Sequence, residues 1–302
     1  MKYIYTHIKE FFKVSDWNED IQGPFGLQPP PGDWADFKKR IAELRQQCPE
    51  GEAIKVIFAA RHAEHNVIKE KYQILDEIVR SCCHLIRKSK WPSAQILYPI
   101  LDPDLTDLGR SQAAALGYAL QREAKRGMPL PSKWYVSPMK RAGETCGIEW
   151  GWLFEESKGK GKGHGVPATV IENLREHLHV HECDKRSSLS ELQRDFPSFT
   201  YTPETTEEDE LWQPGEVRGR ETEEELVTRR GTGIAQVLDM SEDSTYISIT
   251  SHSGALRGIY KSLGVPSRSL VVGEMNILVL RIKKIEELKE MDKETAEYTF
   301  RE

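Results

Sequence analysis

Apolar segments with strand-like and helix-like periods alternate along most of this chain, and that alternation confines it to an α/β fold. The run KVIFAA (55–60) is short, β-branched and uninterrupted, as a strand covered on both faces requires, and it reads as a central strand ending at Arg61 and His62. Strands are also predicted at KWYVSP (133–138), at the start of 168–182 and at TYISITSH (245–252). Between them lie helix-periodic segments at 105–126, 140–154, 221–240 and 255–264, the first capped by Thr106 and stopped at Gly127. Strands separated by helices pair in parallel, so the expected fold is a three-layer sandwich with a mostly parallel central sheet and helices on both faces. Further helices are predicted over 34–47, 67–88 and 285–298, and paired strands over 269–282.

The chain of 302 residues is expected to form a single domain, 1–302, with an N-terminal lead-in (about 1–50) and a cap-like insertion (about 183–222). Its net charge of −6 and pI near 5.9 argue against a nucleic-acid partner but allow a local basic pocket for an anion. No apolar run approaches a membrane span and the start does not read as a signal peptide, so no membrane partner is expected and the expected location is cytoplasmic, or cytoplasmic and nuclear. Five cysteines without a C-x-x-C pair read as reduced structural thiols. The runs KGKGKGHG (158–165) and ETTEEDE (204–210) read as solvated surface. Oligomeric state leaves no mark in the sequence.

In parallel α/β sheets ligands bind beyond the carboxyl ends of the strands. Four such ends carry Arg61 and His62, Arg141, Glu176, and His252. Arginine forks hold phosphate oxygens bidentately, and Arg141 falls in the first turn of its helix, where free N–H groups favour an anion. An imidazole with a free lone pair can attack phosphorus, which makes His62 the candidate nucleophile. His252 can donate to an equatorial oxygen, and a protonated Glu176 can protonate the leaving alkoxide and then help activate water.

The motifs RH at 61–62, DPDLTDLGRSQA at 102–113, SPMKRAGET at 137–145, ENLREHLHVHECDKRS at 172–187 and SHSG at 251–254 together resemble the histidine phosphatase superfamily, also called phosphoglycerate-mutase-like, in its fungal phosphatase-like branch. The resemblance implies His62 as phosphate acceptor, Arg61, Arg141 and His252 as the phosphate pocket, with Asn66 and Ser253 as further substrate contacts, and Glu176 as proton donor. It implies a phosphatase acting on a small phosphorylated metabolite, without cofactor and without metal. A mutase-type isomerase is the alternative enzyme.

The loop after His62 departs from the family text: Ala63 stands where glycine is usual, and Asn66 arrives about two residues early. A Cβ at 63 is costly if the backbone needs positive φ or must approach phosphate. A shorter loop would draw Asn66 and His65 away from substrate, which leaves a phospholigand-binding protein without turnover as a rival reading. A second rival comes from HLHVH, where His177, His179 and His181 would line one strand face, as metal ligands can. Lys185, Arg186 and Arg218 are candidate secondary anion contacts in the insertion.

Overall fold

The computed structural model describes residues 3–12, 25–29, 32–65, 101–157, 161–179, 181–212, 219–266 and 269–285. In chain order these form β1 (Tyr3–His7), α1 (Trp34–Gln46), β2 (Glu52–Arg61), α2 (Asp107–Lys125), β3 (Lys133–Val136), α3 (Lys140–Trp150), β4 (Ala168–Val170), α4 (Leu189–Asp195), β5 (Thr200–Tyr201), α5 (Glu223–Asp239), β6 (Tyr246–Ser251), α6 (Ser253–Ser262) and β7 (Met275–Lys284). The seven strands make one sheet in the order β1-β7-β2-β6-β3-β4-β5. From β2 through β5 every pairing is parallel, whereas β7 runs antiparallel to β2 and β1 antiparallel to β7. The expected mostly parallel sheet is therefore present, with an antiparallel margin.

Successive side chains of β2 enter two different cores, because strand residues alternate between faces. Val56, Phe58 and Ala60 pack with Trp34, Phe37 and Ile41 of α1, Leu116 and Leu120 of α2, and Trp150 of α3. Ile57 and Ala59 pack on the opposite face with Ile234 and Leu238 of α5 and Leu256 and Ile259 of α6. Helices thus cover both faces, which explains why β2 reads as a continuous apolar run rather than an alternating one. At the centre of the first core the Trp150 indole donates to Ser248 Oγ at 3.0 Å, so its one polar group stays satisfied where it is fully buried.

Local chemistry sets the helix starts. Thr106 caps α2 by accepting from Gly109 N at 2.9 Å, and Thr222 and Glu225 form a capping box at α5. Met139 cannot cap α3 through its side chain. Asp102 does so from a distance, accepting from Lys140 N at 2.8 Å through one oxygen and from Ser187 N at 2.9 Å through the other.

Three expectations change. Residues 269–282 do not form paired strands: β7 begins only at Met275, and the residues before it are spent on a turn with Gly273 at φ +71. That turn is held to the end of β2, since Gly273 N donates to the His62 carbonyl at 3.2 Å. In the glycine and lysine run, Lys162 is not simply solvated but pairs with Asp104 at 2.6 Å and Asp195 at 3.4 Å. In the acidic run, Asp209 is buried against Arg175, with oxygens at 2.5 and 2.7 Å. The predicted helices at 67–88 and 285–298 lie outside the described residues, apart from Ile285. Among the described residues no helix is long and apolar enough to cross a membrane.

Candidate active site

Because β2, β6, β3 and β4 run parallel, they end on one edge of the sheet, and the residues just past those ends converge. His62 follows β2, His252 follows β6, and Ser137 follows β3. The ring centroids of His62 and His252 are 4.9 Å apart, and those of His62 and His65 are 5.2 Å apart. His252 Nε2 lies 2.8 Å from Ser137 Oγ, tying the ends of β6 and β3 together at the site.

His62 is 3% exposed, and its Nδ1 sits 2.7 Å from its neighbour's carbonyl, Ala63 O. A carbonyl oxygen can only accept, so Nδ1 carries the hydrogen and Nε2 keeps the lone pair. Burial, then the charges of Arg141 and its neighbours, pushes the His62 pKa well below 6.5. The ring is neutral at physiological pH and presents one defined nucleophilic nitrogen. His252 is held neutral in the same way, by burial first and Arg141 second.

Arg141, in the first turn of α3, is 1% exposed. Its Nη1 donates to Cys183 O at 2.8 Å and its Nη2 to Asp184 Oδ1 at 2.7 Å, while Nε has no hydrogen-bond partner among the described residues. A buried guanidinium with a donor still to satisfy is suited to an anionic oxygen. Arg61 Nη1 donates to Leu270 O at 2.7 Å, fixing its side chain beside the turn before β7. Ser253 opens α6 directly after His252.

Glu176 follows the 3₁₀ turn Glu172–Leu174 after β4 and is half-buried. One oxygen accepts from His177 N at 2.9 Å and the other from Gly254 N at 3.1 Å, in the first turn of α6. That approach needs glycine, since a Cβ at 254 would stand 2.3 Å from Glu176 Oε1. Gly254→Ala is expected to displace the carboxyl and lower kcat by about 10- to 100-fold, with KM little changed. Steady-state kinetics of the folded variant check this, and an unchanged kcat would remove Glu176 from the chemistry.

The departure at Ala63 has a structural explanation. Ala63 does not adopt positive φ; its methyl is fully buried against Leu105 and Ala113. The loop is strapped on both sides: Ala63 N donates to Thr145 Oγ1 at 3.0 Å, Glu64 N to Gln112 Oε1 at 2.9 Å, and Thr106 N to Glu64 O at 3.1 Å. Gly109 allows this contact, because a Cβ there would sit 1.9 Å from Glu64 O. The short loop does not draw His65 away. Burial, with Arg141 and Arg61 behind it, pushes the His65 pKa down to about 2, making it a third neutral imidazole beside His62. Asn66 lies outside the described residues.

The HLHVH segment is no strand. His179 has φ +60, which breaks the alternation, and the three rings go different ways. His177 Nε2 lies 2.6 Å from Glu221 O, the His179 ring packs 5.2 Å from that of Trp212, and His181 Nδ1 is 3.6 Å from Asp184 Oδ2. Arg186 is not an anion contact either. It is buried, its Nε 2.7 Å from Glu172 Oε1 and its Nη groups on the carbonyls of Ser187, Thr206 and Glu208. Arg218 lies outside the described residues, and Lys185 is half-buried. Sequence reading expected His65 to be drawn away and missed Ser137 and Asp184; the motif SPMKRAGET does begin on Ser137, but an Asp in ECDKR carries no local signal.

The family profile described as histidine phosphatase superfamily (branch 1) matches residues 85–284, two thirds of the chain, beginning C-terminal to Arg61 and His62. A protein of Arthroderma benhamiae named "Probable phosphoglycerate mutase" is 28% identical over 289 residues, covering 92% of this chain and 79% of that protein. A Saccharomyces cerevisiae protein named "Probable phosphoglycerate mutase PMU1" is 33% identical over 178 residues, 55% of this chain and 59% of that one. Among solved structures, the ecdysone phosphate phosphatase from Bombix mori superposes with a TM-score of 0.43 at 16% identity, covering 74% of this chain and 88% of that one. With the profile spanning the sheet from β3 to β7, the chain belongs to the histidine phosphatase superfamily, whose chemistry is phosphoryl transfer through a histidine.

Proposed function

We propose that the chain hydrolyses a small phosphomonoester through a phosphohistidine on His62. The observation that carries this reading is the His62 ring itself, neutral, with Nδ1 tied to Ala63 O and Nε2 left to attack, beside Arg141 and His252. Nε2 forms the bond to phosphorus as the ester P–O bond breaks, while Arg61, Arg141 and His252 hold the equatorial oxygens. Glu176 gives its proton to the leaving alkoxide. It then takes a proton from water, which attacks phosphorus as the P–N bond breaks and the His62 lone pair returns.

Hydrolysis is favoured over isomerisation because three arginines packed around the Glu176 segment are spent internally. Arg175 is bound by Glu172 and Asp209, Arg186 by Glu172 and carbonyls, and Arg229 by Glu221. A second strongly anionic group on the substrate would find these three guanidinium groups already occupied, which favours a simple monoester. Brief incubation with a ³²P-labelled aryl phosphate, then quenching in base, tests the chemistry. Up to one base-stable, acid-labile label per chain is expected, with phosphate released at a matching rate. Conversion of 3-phosphoglycerate to its 2-isomer faster than phosphate release would reverse the choice in favour of a mutase, and a folded chain that binds phosphate but never labels would overturn both.

A further inference from the structure

The segment after Glu176 gathers a second set of reactive side chains. His181, Cys183 and Asp184 offer an imidazole nitrogen, a thiol sulfur and a carboxylate oxygen that all lie within 4.8 Å of one another. The 3₁₀ turn Glu182–Asp184 produces this, closed by Asp184 N donating to His181 O at 2.9 Å. The Asp184 carboxylate is divided between two tasks: Oδ1 holds Arg141 at 2.7 Å, and Oδ2 faces His181 Nδ1 at 3.6 Å. Cys183 and Asp184 are buried, whereas the His181 side chain is 48% exposed and leaves a path from solvent.

We infer that His181, Cys183 and Asp184 form a seat for a borderline-soft divalent cation, zinc foremost, next to the phosphoryl-transfer groups and joined to them through Arg141. Sulfur and imidazole nitrogen with a single carboxylate suit zinc, whereas magnesium and calcium call for several oxygens. Zinc bonds of about 2.0 to 2.3 Å put tetrahedral ligand atoms roughly 3.5 Å apart, so the set closes by side-chain adjustments of about 1 Å. The outer partners are already in place, because Arg141 orients Asp184 through Oδ1 and binds the Cys183 carbonyl. Burial pushes the Cys183 thiol up to about 12, so the metal-free chain holds S–H; as the sulfur–metal bond forms, that proton leaves to solvent. Water fills the fourth position. No metal enters the proposed hydrolysis.

The test is a spectroscopic titration of the full chain, dialysed against a chelator, with Co²⁺ and then Zn²⁺. One Co²⁺ per chain with a near-ultraviolet sulfur-to-metal band is expected, displaced by one equivalent of Zn²⁺, and Cys183→Ser should lose the band. Loss of an outer partner alone weakens metal sites by about tenfold or more, so His181→Ala should weaken Zn²⁺ binding by at least that. His181 is exposed, so that variant should keep the wild-type melting temperature and rate of phosphate release. Absence of the band, its persistence in Cys183→Ser, or unchanged Zn²⁺ affinity in His181→Ala would each overturn the inference.

Discussion

Replacing His62 by alanine is expected to lower phosphate release by at least about 10⁴-fold, equivalent to roughly 5.5 kcal/mol of barrier. His252 Nε2 is occupied by Ser137 Oγ, and His65 is carried on a loop bridged to Leu105, so each neighbouring ring is anchored in its own place. The phosphate clamp survives the change, since Arg141 is fixed by Cys183 O and Asp184, and Arg61 by Leu270 O, none of which involves the His62 ring. Phosphate or vanadate should therefore still bind, within about tenfold of wild type, while covalent labelling disappears. Rapid-quench labelling beside equilibrium binding checks both halves. Turnover within tenfold of wild type would remove His62 as the acceptor.

The sheet and the end-of-strand residues were legible because both depend on short-range patterns. KVIFAA names a doubly covered strand by composition alone, and parallel pairing then brings His62, His252 and the start of α3 to one edge. Partners that act across the fold were not legible. Asp102 caps α3 from 38 residues away, and Asp209 neutralises Arg175 from 34 away, so neither carries a local sign of its role. The acidic run around Asp209 reads as solvated for the same reason: local charge density does not reveal which carboxylate finds a buried guanidinium. At HLHVH a single positive φ at His179 defeated a two-residue period that the letters satisfy. Ala63 shows the reverse case, a departure from a motif that the surrounding contacts absorb by giving its methyl an apolar niche.

Acidification from pH 7 to pH 5 is expected to remove roughly 2 kcal/mol of stability through His65 alone, and His62 and His252 act in the same direction. His62, His65 and His252 are held neutral in the folded chain by burial and by Arg141, whereas the unfolded chain protonates all three as pH falls through about 6.5. The unfolded state then binds more protons, so stability falls as pH is lowered through this range. Glu149 opposes them. It is fully buried, accepts from Thr250 Oγ1 at 2.7 Å, and has its pKa raised to about 8 by burial. It already holds a proton in the folded state that the unfolded chain takes only below about 4.5, which offsets part of the histidine loss. Asp102 and Glu172, also raised by burial, act with Glu149. Urea denaturation at pH 7 and pH 5 measures the difference, and His65→Gln should shrink it by removing one of the three titrating rings. A His65→Gln variant that shows the same change in stability between the two pH values as the wild type would mean that the ring is open to protons in the native state, and the neutral cluster on which the proposed attack by His62 depends would be lost.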